Sequence, residues 1–329
     1  MLAWRALEYG AYRETLELQE QPEPTAPKGG VVVEIAAAGL NFFDILSIAG
    51  QYQVKIPPPF TPGTEAAGTV VAVGEGSRLS VGDRVIASNM KGAFAERMVV
   101  PDVGCLSIPK GMSDAQAAGL FINYQTSYFG LNHRAQLAEG ETLLVHGGAG
   151  GCGLAAIQLG KAMGATVIAT AGSAEKLEVC TKAGADHVIN YREDDFVPAV
   201  KSLTKGRGAD VIYDPVGGDV FDRSTKCIAW CGRLIVVGFA GGRIPEIKLN
   251  RVLLKNIAIV GLHWGSYRLQ APQEIVKTHG ILSELYESGK ISPTTYGDFT
   301  LPQLPDALDA LANRQSYGKV VLNVASAKG

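Results

Sequence analysis

The stretch Leu144-Val145-His146-Gly147-Gly148-Ala149-Gly150-Gly151-Cys152-Gly153-Leu154 decides the reading of this chain. A short apolar run, Thr142–His146, precedes it and a helix-like segment, Leu154–Met163, follows it. Strand, glycine turn and helix in that order form the context of a dinucleotide-binding fingerprint. Glycines let the backbone turn tightly and approach a pyrophosphate, and the helix start offers free N–H donors and a positive dipole end. The spacing Gly148-x-Gly150-Gly151-x-Gly153 is a variant of the strict pattern, so a plain flexible connection is the competing reading.

Outward from the turn, Thr166–Thr170, Val188–Asn190, Val211–Asp214, Arg233–Val237 and Ile257–Val260 repeat the apolar run, with helical segments between several of them. These runs are rich in Val and Ile and scarcely alternate, as strands covered on both faces do. Strands alternating with helices predict a parallel, doubly wound α/β sheet of the Rossmann kind. Residues before about 120 have another texture. Val31–Ile35, Gly68–Val73 and Arg84–Ala87 are short runs cut by turns such as Gly74-Glu75-Gly76, which predicts short, mostly antiparallel strands. The stretch Pro57-Pro58-Pro59-Phe60-Thr61-Pro62 reads as a stiff loop. Past 265, a helix over Pro272–Ser288 leads to a strand over Gly318–Val324. The economical layout is a β-rich domain over 1–123 and 267–329 interrupted by a dinucleotide-binding domain over 124–266.

The chain has 329 residues, 47% hydrophobic and 19% charged, enough for two cores. A net charge of −2 argues against a broadly cationic surface for nucleic acid or membrane. No apolar run reaches membrane-spanning length, and Arg5 and Glu8 interrupt the first residues too early for a signal peptide. Five scattered cysteines form neither a disulfide framework nor a zinc knuckle, so a reducing cytoplasmic compartment is the simplest expectation. Cys227 and Cys231, four residues apart, read as core packing ahead of metal binding, and His146 as packing at the end of the first strand of the parallel sheet.

The end of the second strand selects the cofactor. NAD sites usually place an acid about 20 residues after the turn to hold the ribose hydroxyls. Here the chain reads Thr170-Ala171-Gly172-Ser173-Ala174-Glu175-Lys176, with no acid at the strand tip. Ser173 by hydrogen bond and Lys176 by charge could hold a 2′-phosphate, with Tyr191 and Arg192 as further candidates. NADPH is favoured over NADH.

Across nearly its whole length the chain resembles the medium-chain dehydrogenase/reductase superfamily, and within it the zinc-independent NADPH:quinone oxidoreductases, the zeta-crystallin-like group. The resemblance is carried by Ala38-Gly39-Leu40-Asn41-Phe42-Phe43-Asp44, Gly50-Gln51-Tyr52, Pro62-Gly63-Thr64-Glu65-Ala66-Ala67-Gly68, Gly82-Asp83-Arg84-Val85 and Gln125-Thr126-Ser127-Tyr128. The glycine turn, Gly184-Ala185-Asp186, Asn190-Tyr191-Arg192 and Gly318-Lys319-Val320-Val321 complete it. It implies a GroES-like β-barrel domain plus a Rossmann domain, with cofactor and substrate in the cleft between them, and a homodimer. Edge strands around Arg233–Val237 or Ile257–Val260 are the expected interface.

Zinc dehydrogenases of the superfamily hold a catalytic metal with Cys, His and another Cys or acid. The matching positions here are Asn41, Thr64 and Ile122, which are poor zinc ligands, so no zinc is expected. Without a Lewis acid, an acceptor that disperses incoming charge is favoured. Quinones do so, as do enones and enoyl thioesters.

The resemblance assigns Tyr52 as proton donor or pocket wall and Asn41 as a nicotinamide neighbour, with Asp44 orienting the Asn41 loop. It places Thr126 and Lys319 beside the cofactor. Gly150, Gly151, Cys152, Gly153, Gly172, Ser173, Lys176, Tyr191, Pro215, Val216, Gly238 and Phe239 complete the expected cofactor-binding set. Three functions follow in order: an NADPH-dependent quinone reductase, an NADPH-dependent reductase of activated C=C bonds, and an NADPH-binding scaffold or nucleic-acid-binding protein of low turnover. A CoA thioester would need positive charge such as Arg243, Lys248 and Arg251 at its entrance.

Overall fold

A computed structural model describes residues 1–325. Two compact units divide the chain, Met1–Ile122 with the segment from Pro293 onward, and Asn123–Ser292. In the first unit a two-stranded antiparallel pair, β1 (Leu2–Ala6) and β2 (Leu16–Glu20), precedes β3 (Gly30–Gly39), β4 (Glu65–Val73), β5 (Arg84–Ser88), β6 (Arg97–Pro101) and β7 (Cys105–Ser107). The second unit holds β8 (Thr142–Val145), β9 (Thr166–Ala171), β10 (His187–Asn190), β11 (Ala209–Asp214), β12 (Ile228–Val236) and β13 (Ala258–Gly261). The chain then returns to the first unit with β14 (Thr295–Thr300) and β15 (Lys319–Asn323).

The large sheet of the first unit runs β14-β15-β3-β4-β5-β7, with β6 also paired to β3. It is antiparallel except for β14 beside β15. This is the GroES-like domain. Alternate residues of β3, Val31, Val33 and Ile35, enter its core with Trp4, Phe60, Phe94 and Leu322. Trp4 is buried without an unmet donor, because its indole N–H bonds the Leu301 carbonyl at 2.7 Å.

The six strands of the second unit are all parallel and run β10-β9-β8-β11-β12-β13. That is the Rossmann order, and it reverses between β8 and β11. Leu144, Ile168, Ile212 and Leu234 from four strands meet Phe196 and Phe221 from the covering helices.

Three expectations are corrected. Residues 267–292, expected with the β-rich domain, belong to the second unit. Gln125 donates to the Ile275 carbonyl at 2.9 Å, and Ile275 and Leu282 bury one side of the helix Pro272–Glu287. Arg233–Val237 offers no free edge, since β12 lies between β11 and β13, leaving β13 and β10 as the edges. Cys227 is buried but Cys231 is exposed, with φ +61° in the irregular first half of β12, so the pair shares no helix face.

Candidate functional site

Within the second unit, the glycine turn sits where the sheet order reverses, at the carboxyl end of β8. The helix Gly151–Ala162 starts there with Gly150 as its N-cap and no side-chain cap. A helix start without a side-chain cap favours an acceptor that carries negative charge. A Cβ on Gly153 would lie 2.3 Å from the Gly147 carbonyl oxygen, and one on Gly151 would lie 2.2 Å from Asn123 Nδ2. Glycine is required at both places for close backbone approach. Asn123 is buried, and its Oδ1 accepts from Cys152 Sγ at 3.4 Å.

Hydrogen-bond directions fix the neighbourhood. Ser127 donates to the Cys152 carbonyl at 2.9 Å, so the Tyr213 hydroxyl, 3.0 Å away, donates to Ser127. Ser224 donates to the Val220 carbonyl at 2.7 Å, so its oxygen accepts from His146 Nε2 at 2.8 Å. His146 Nδ1 then accepts from Thr170 at 3.1 Å. Burial and the nearby Arg223 push the His146 pKa down to about 3, so the ring is neutral. His146 thus ties the ends of β8 and β9 to the helix Gly218–Cys227, as expected of a packing residue.

Several expected cofactor residues converge at these strand ends. Pro215 and Val216 side-chain atoms both lie 3.7 Å from where a Gly147 Cβ would stand. Asp214 forms the turn beneath them, accepting from the Val216 and Gly217 N–H groups at 2.8 and 3.0 Å. Phe239 lies against Gly217, while Gly238 approaches the Pro215 carbonyl. At the tip of β9, Gly172 is abutted by the Tyr191 hydroxyl and Arg192 Nε, 2.6 and 3.2 Å from an added Cβ. Ser173 N-caps the helix Ala174–Lys182 by accepting from Lys176 N at 3.4 Å, which leaves its O–H proton for a ligand. Thr126 is half-buried on the helix Asp114–Tyr128.

The first unit assembles a second constellation. Asn41 N-caps the helix Phe42–Ile48, and its backbone N–H donates to Asp44 Oδ2 at 2.7 Å. Its side-chain amide is held at both ends. Lys319 Nζ donates to Oδ1 at 2.7 Å, and Nδ2 donates to Glu65 Oε1 at 3.0 Å. Lys319 also pairs with Glu65, whose other oxygen accepts the Ile122 N–H at 3.0 Å. Gly39 and Gly119 make room for the lysine stem, since a Cβ at either would lie 2.6 or 3.2 Å from it. Lys319 is therefore a buried partner of Asn41, not a surface charge.

Asp44 accepts from Thr64 Oγ1 at 3.3 Å. Burial pushes its pKa up to about 7 against the opposing pull of the Asn41 N–H and Lys319. Tyr52 is half-buried, stacked on Phe43 at 5.3 Å, with its pKa raised by burial and by Asp44.

The residues at the expected metal positions do not fit zinc. Asn41 and Thr64 meet at 3.5 Å, but they are an amide and a hydroxyl, and Ile122 contributes only its backbone N–H, to Glu65. The Lys319 ammonium, bonded to Asn41 in this cluster, would repel a dication. Among the described residues no three acidic, His or Cys side chains are grouped as metal ligands.

Glu65, Asn123 and Asp214 were missed as partners by sequence reasoning. A signal existed for Glu65, an acid leading the small apolar run Ala66-Ala67-Gly68 of a strand with no cation nearby in sequence.

Residues 27–110 match the alcohol dehydrogenase GroES-like domain, and residues 151–278 match the zinc-binding dehydrogenase domain. A quinone oxidoreductase-like protein 2 homolog of Nematostella vectensis is 43% identical over 89% of this chain and 81% of its own length. The solved structure of Escherichia coli quinone oxidoreductase complexed with NADPH superposes with a TM-score of 0.91 at 30% identity, covering 98% of this chain and 100% of that one. The CurK enoyl reductase structure gives 0.87 at 28% identity, covering 98% and 99%.

Proposed function

The chain belongs to the medium-chain dehydrogenase/reductase superfamily, where it groups with the quinone oxidoreductases, and from that membership we propose that it transfers reducing equivalents from NADPH to a quinone without a metal. The observation that carries the cofactor assignment is the uncapped helix start at Gly150, whose turn tolerates no side chain at Gly151 or Gly153. That turn takes the pyrophosphate, Pro215, Val216, Gly238 and Phe239 flank the dinucleotide, and Thr126 contacts the nicotinamide. Ser173, Lys176, Tyr191 and Arg192 hold the 2′-phosphate. When bound, NADPH supplies the hydride equivalents.

The protein's part is orientation and charge placement. Tyr52 hydrogen-bonds the acceptor oxygen. Asp44 and Lys319 fix the Asn41 loop from its two sides. A quinone accepts electrons into a delocalised anion, which neutral donors and water stabilise without a Lewis acid. The likeness to CurK enoyl reductase favours reduction of an activated C=C bond as the second reading. Its CoA-thioester form is weakened because Arg243 is bound by Asp219 and Asp222 at 2.8 and 2.5 Å.

NADPH oxidation is to be followed with a quinone panel beside an enone and acyl-CoA panel. Turnover confined to quinones supports the first reading, turnover confined to enones or thioesters supports the second, and no pyridine-nucleotide affinity defeats both.

We also propose a homodimer through β13. This strand ends the parallel sheet, and Leu249, Leu253 and Leu254 are 74–78% exposed on the helix Leu249–Lys255 just before it. An unpaired strand edge beside apolar surface is a template for a second copy. A solution mass of one chain removes this proposal. Among the described residues no helix is long and apolar enough to cross a membrane.

A further inference from the structure

The parallel sheet of the second unit has a second rim. The glycine turn lies at the carboxyl ends of the strands, whereas the turns entering β11, β12 and β13 lie at their amino ends, one strand length or about 20 Å away. Those entering turns gather positive charge around a hollow of about 210 Å³. Lys201 comes from the end of the helix Phe196–Leu203, Arg207 from the turn before β11, Lys226 from the end of the helix Gly218–Cys227, and Lys255 from the end of the helix Leu249–Lys255.

The acids nearest this charge are engaged elsewhere, although Asp195 also feels Lys226. Arg207 is paired with Asp210 at 3.1 Å, and Asp195 is taken by Arg223 at 2.6 Å. Among the described residues neither Lys201 nor Lys226 has an ion-pair partner. Lys255 is half-buried and spends two protons on the Thr225 and Ile228 carbonyls at 3.3 and 3.2 Å, leaving its third. Burial and the neighbouring Lys201 charge lower its pKa.

The same hollow is walled by Trp230, which is 71% exposed, whereas Trp4 and Trp264 are 7% and 8% exposed. The bulged register at the start of β12, with Cys231 at φ +61°, accompanies this outward indole. The indole stands among cations with most of its surface open to a ligand. It matches a ligand that joins a flat ring to several negative charges. A second hollow of about 340 Å³ continues beyond Lys226 and adds Lys248 and Arg251, together with Asp222 and Glu246.

We infer that this rim is a second ligand site, for a nucleoside polyphosphate whose base lies on Trp230 and whose phosphates meet Lys201, Lys226 and Lys255. The site is independent of the glycine turn and of the reaction proposed above.

The test is a tryptophan-fluorescence titration of the full chain with ATP at low salt, with saturating NADP⁺ present to fill the glycine turn. Trp230 is the exposed reporter, so a saturable change is expected in the wild type and is lost in Trp230→Phe. The Lys201→Gln/Lys226→Gln variant should weaken ATP by about tenfold or more, the scale of losing charge-assisted bonds, with NADPH oxidation unchanged. Added salt should weaken it further. No saturable change at millimolar ATP overturns the site. So does a change that NADP⁺ abolishes, or one that Lys201→Gln/Lys226→Gln leaves intact. Equal affinity for inorganic tripolyphosphate overturns the stacked base, and tight binding of single-stranded RNA without ATP binding overturns the small-ligand assignment.

Discussion

The Lys319 ammonium and the Glu65 carboxylate pair with their side chains 3% and 0% exposed, which makes this the most buried ion pair among the described residues. Asn41 bridges the two, and Ile122 N–H completes the carboxylate's shell. Charges this far from water are tolerated because nearly every lone pair and proton has a partner. Removing one partner strands the other. Lys319→Met should therefore cost about 3–5 kcal/mol of unfolding free energy, measured by urea denaturation. Lys319→Met with Glu65→Gln should recover part of that loss. A Lys319→Met cost below about 1 kcal/mol would mean that the pair does not organise the unit.

Local patterns made half of this visible in the sequence. The glycine turn and the Val/Ile runs around it are contiguous, so strand, turn and helix could be read without tertiary knowledge. The Lys319–Glu65 pair joins residues 254 positions apart, and no local pattern couples them. The helix Asp114–Tyr128 escaped for another reason. Leu120, Phe121 and Ile122 are buried, and so are Asn123, Gln125 and Ser127, so no polar face marks its period. The helix Pro272–Glu287 was legible as a helix, but its allegiance was not, because that rests on Gln125 reaching the Ile275 carbonyl 150 residues away.

Asp44 and His146 bend the pH dependence of stability in opposite directions. The folded Asp44 carboxyl binds its proton more tightly than the unfolded chain does. Its contribution is full below the ordinary value of 3.8 and is lost as pH rises through about 7. His146 is held neutral, so its contribution is present above 6.5 and is lost as pH falls toward about 3. Asp44→Asn should flatten the alkaline limb, and His146→Leu the acid limb. His146→Leu should also cost about 1–3 kcal/mol at neutral pH by leaving Ser224 and Thr170 short of a partner. Urea midpoints from pH 4 to 9 check both, and an acid limb unchanged in His146→Leu would contradict the buried neutral ring.

Gly151 and Asn123 are coupled by contact. A Cβ on Gly151 would meet the Asn123 side chain at 2.2 Å, so Gly151→Ala should displace Asn123 and disturb the turn. The expected loss is about 1–3 kcal/mol of stability together with weaker dinucleotide binding. Gly151→Ala in an Asn123→Ala background should cost much less. Strict additivity in the double-mutant cycle would show that the two side chains do not share this space.

At the tip of β9, stability and the proposed cofactor discrimination can be tested separately. Ser173 both caps a helix and faces the Gly172 turn, where Tyr191 and Arg192 close in. Ser173→Ala should cost about 1 kcal/mol of stability from the lost cap. Arg192→Ala and Lys176→Ala leave the Ser173 cap in place and remove a cation each. Each should weaken NADPH by about ten- to a hundredfold, the scale of one charged hydrogen bond, while NADH binding changes little. Dissociation constants for the two cofactors, measured side by side, decide the matter. Equal losses for NADPH and NADH would place the 2′-phosphate elsewhere, because only that group distinguishes the two ligands.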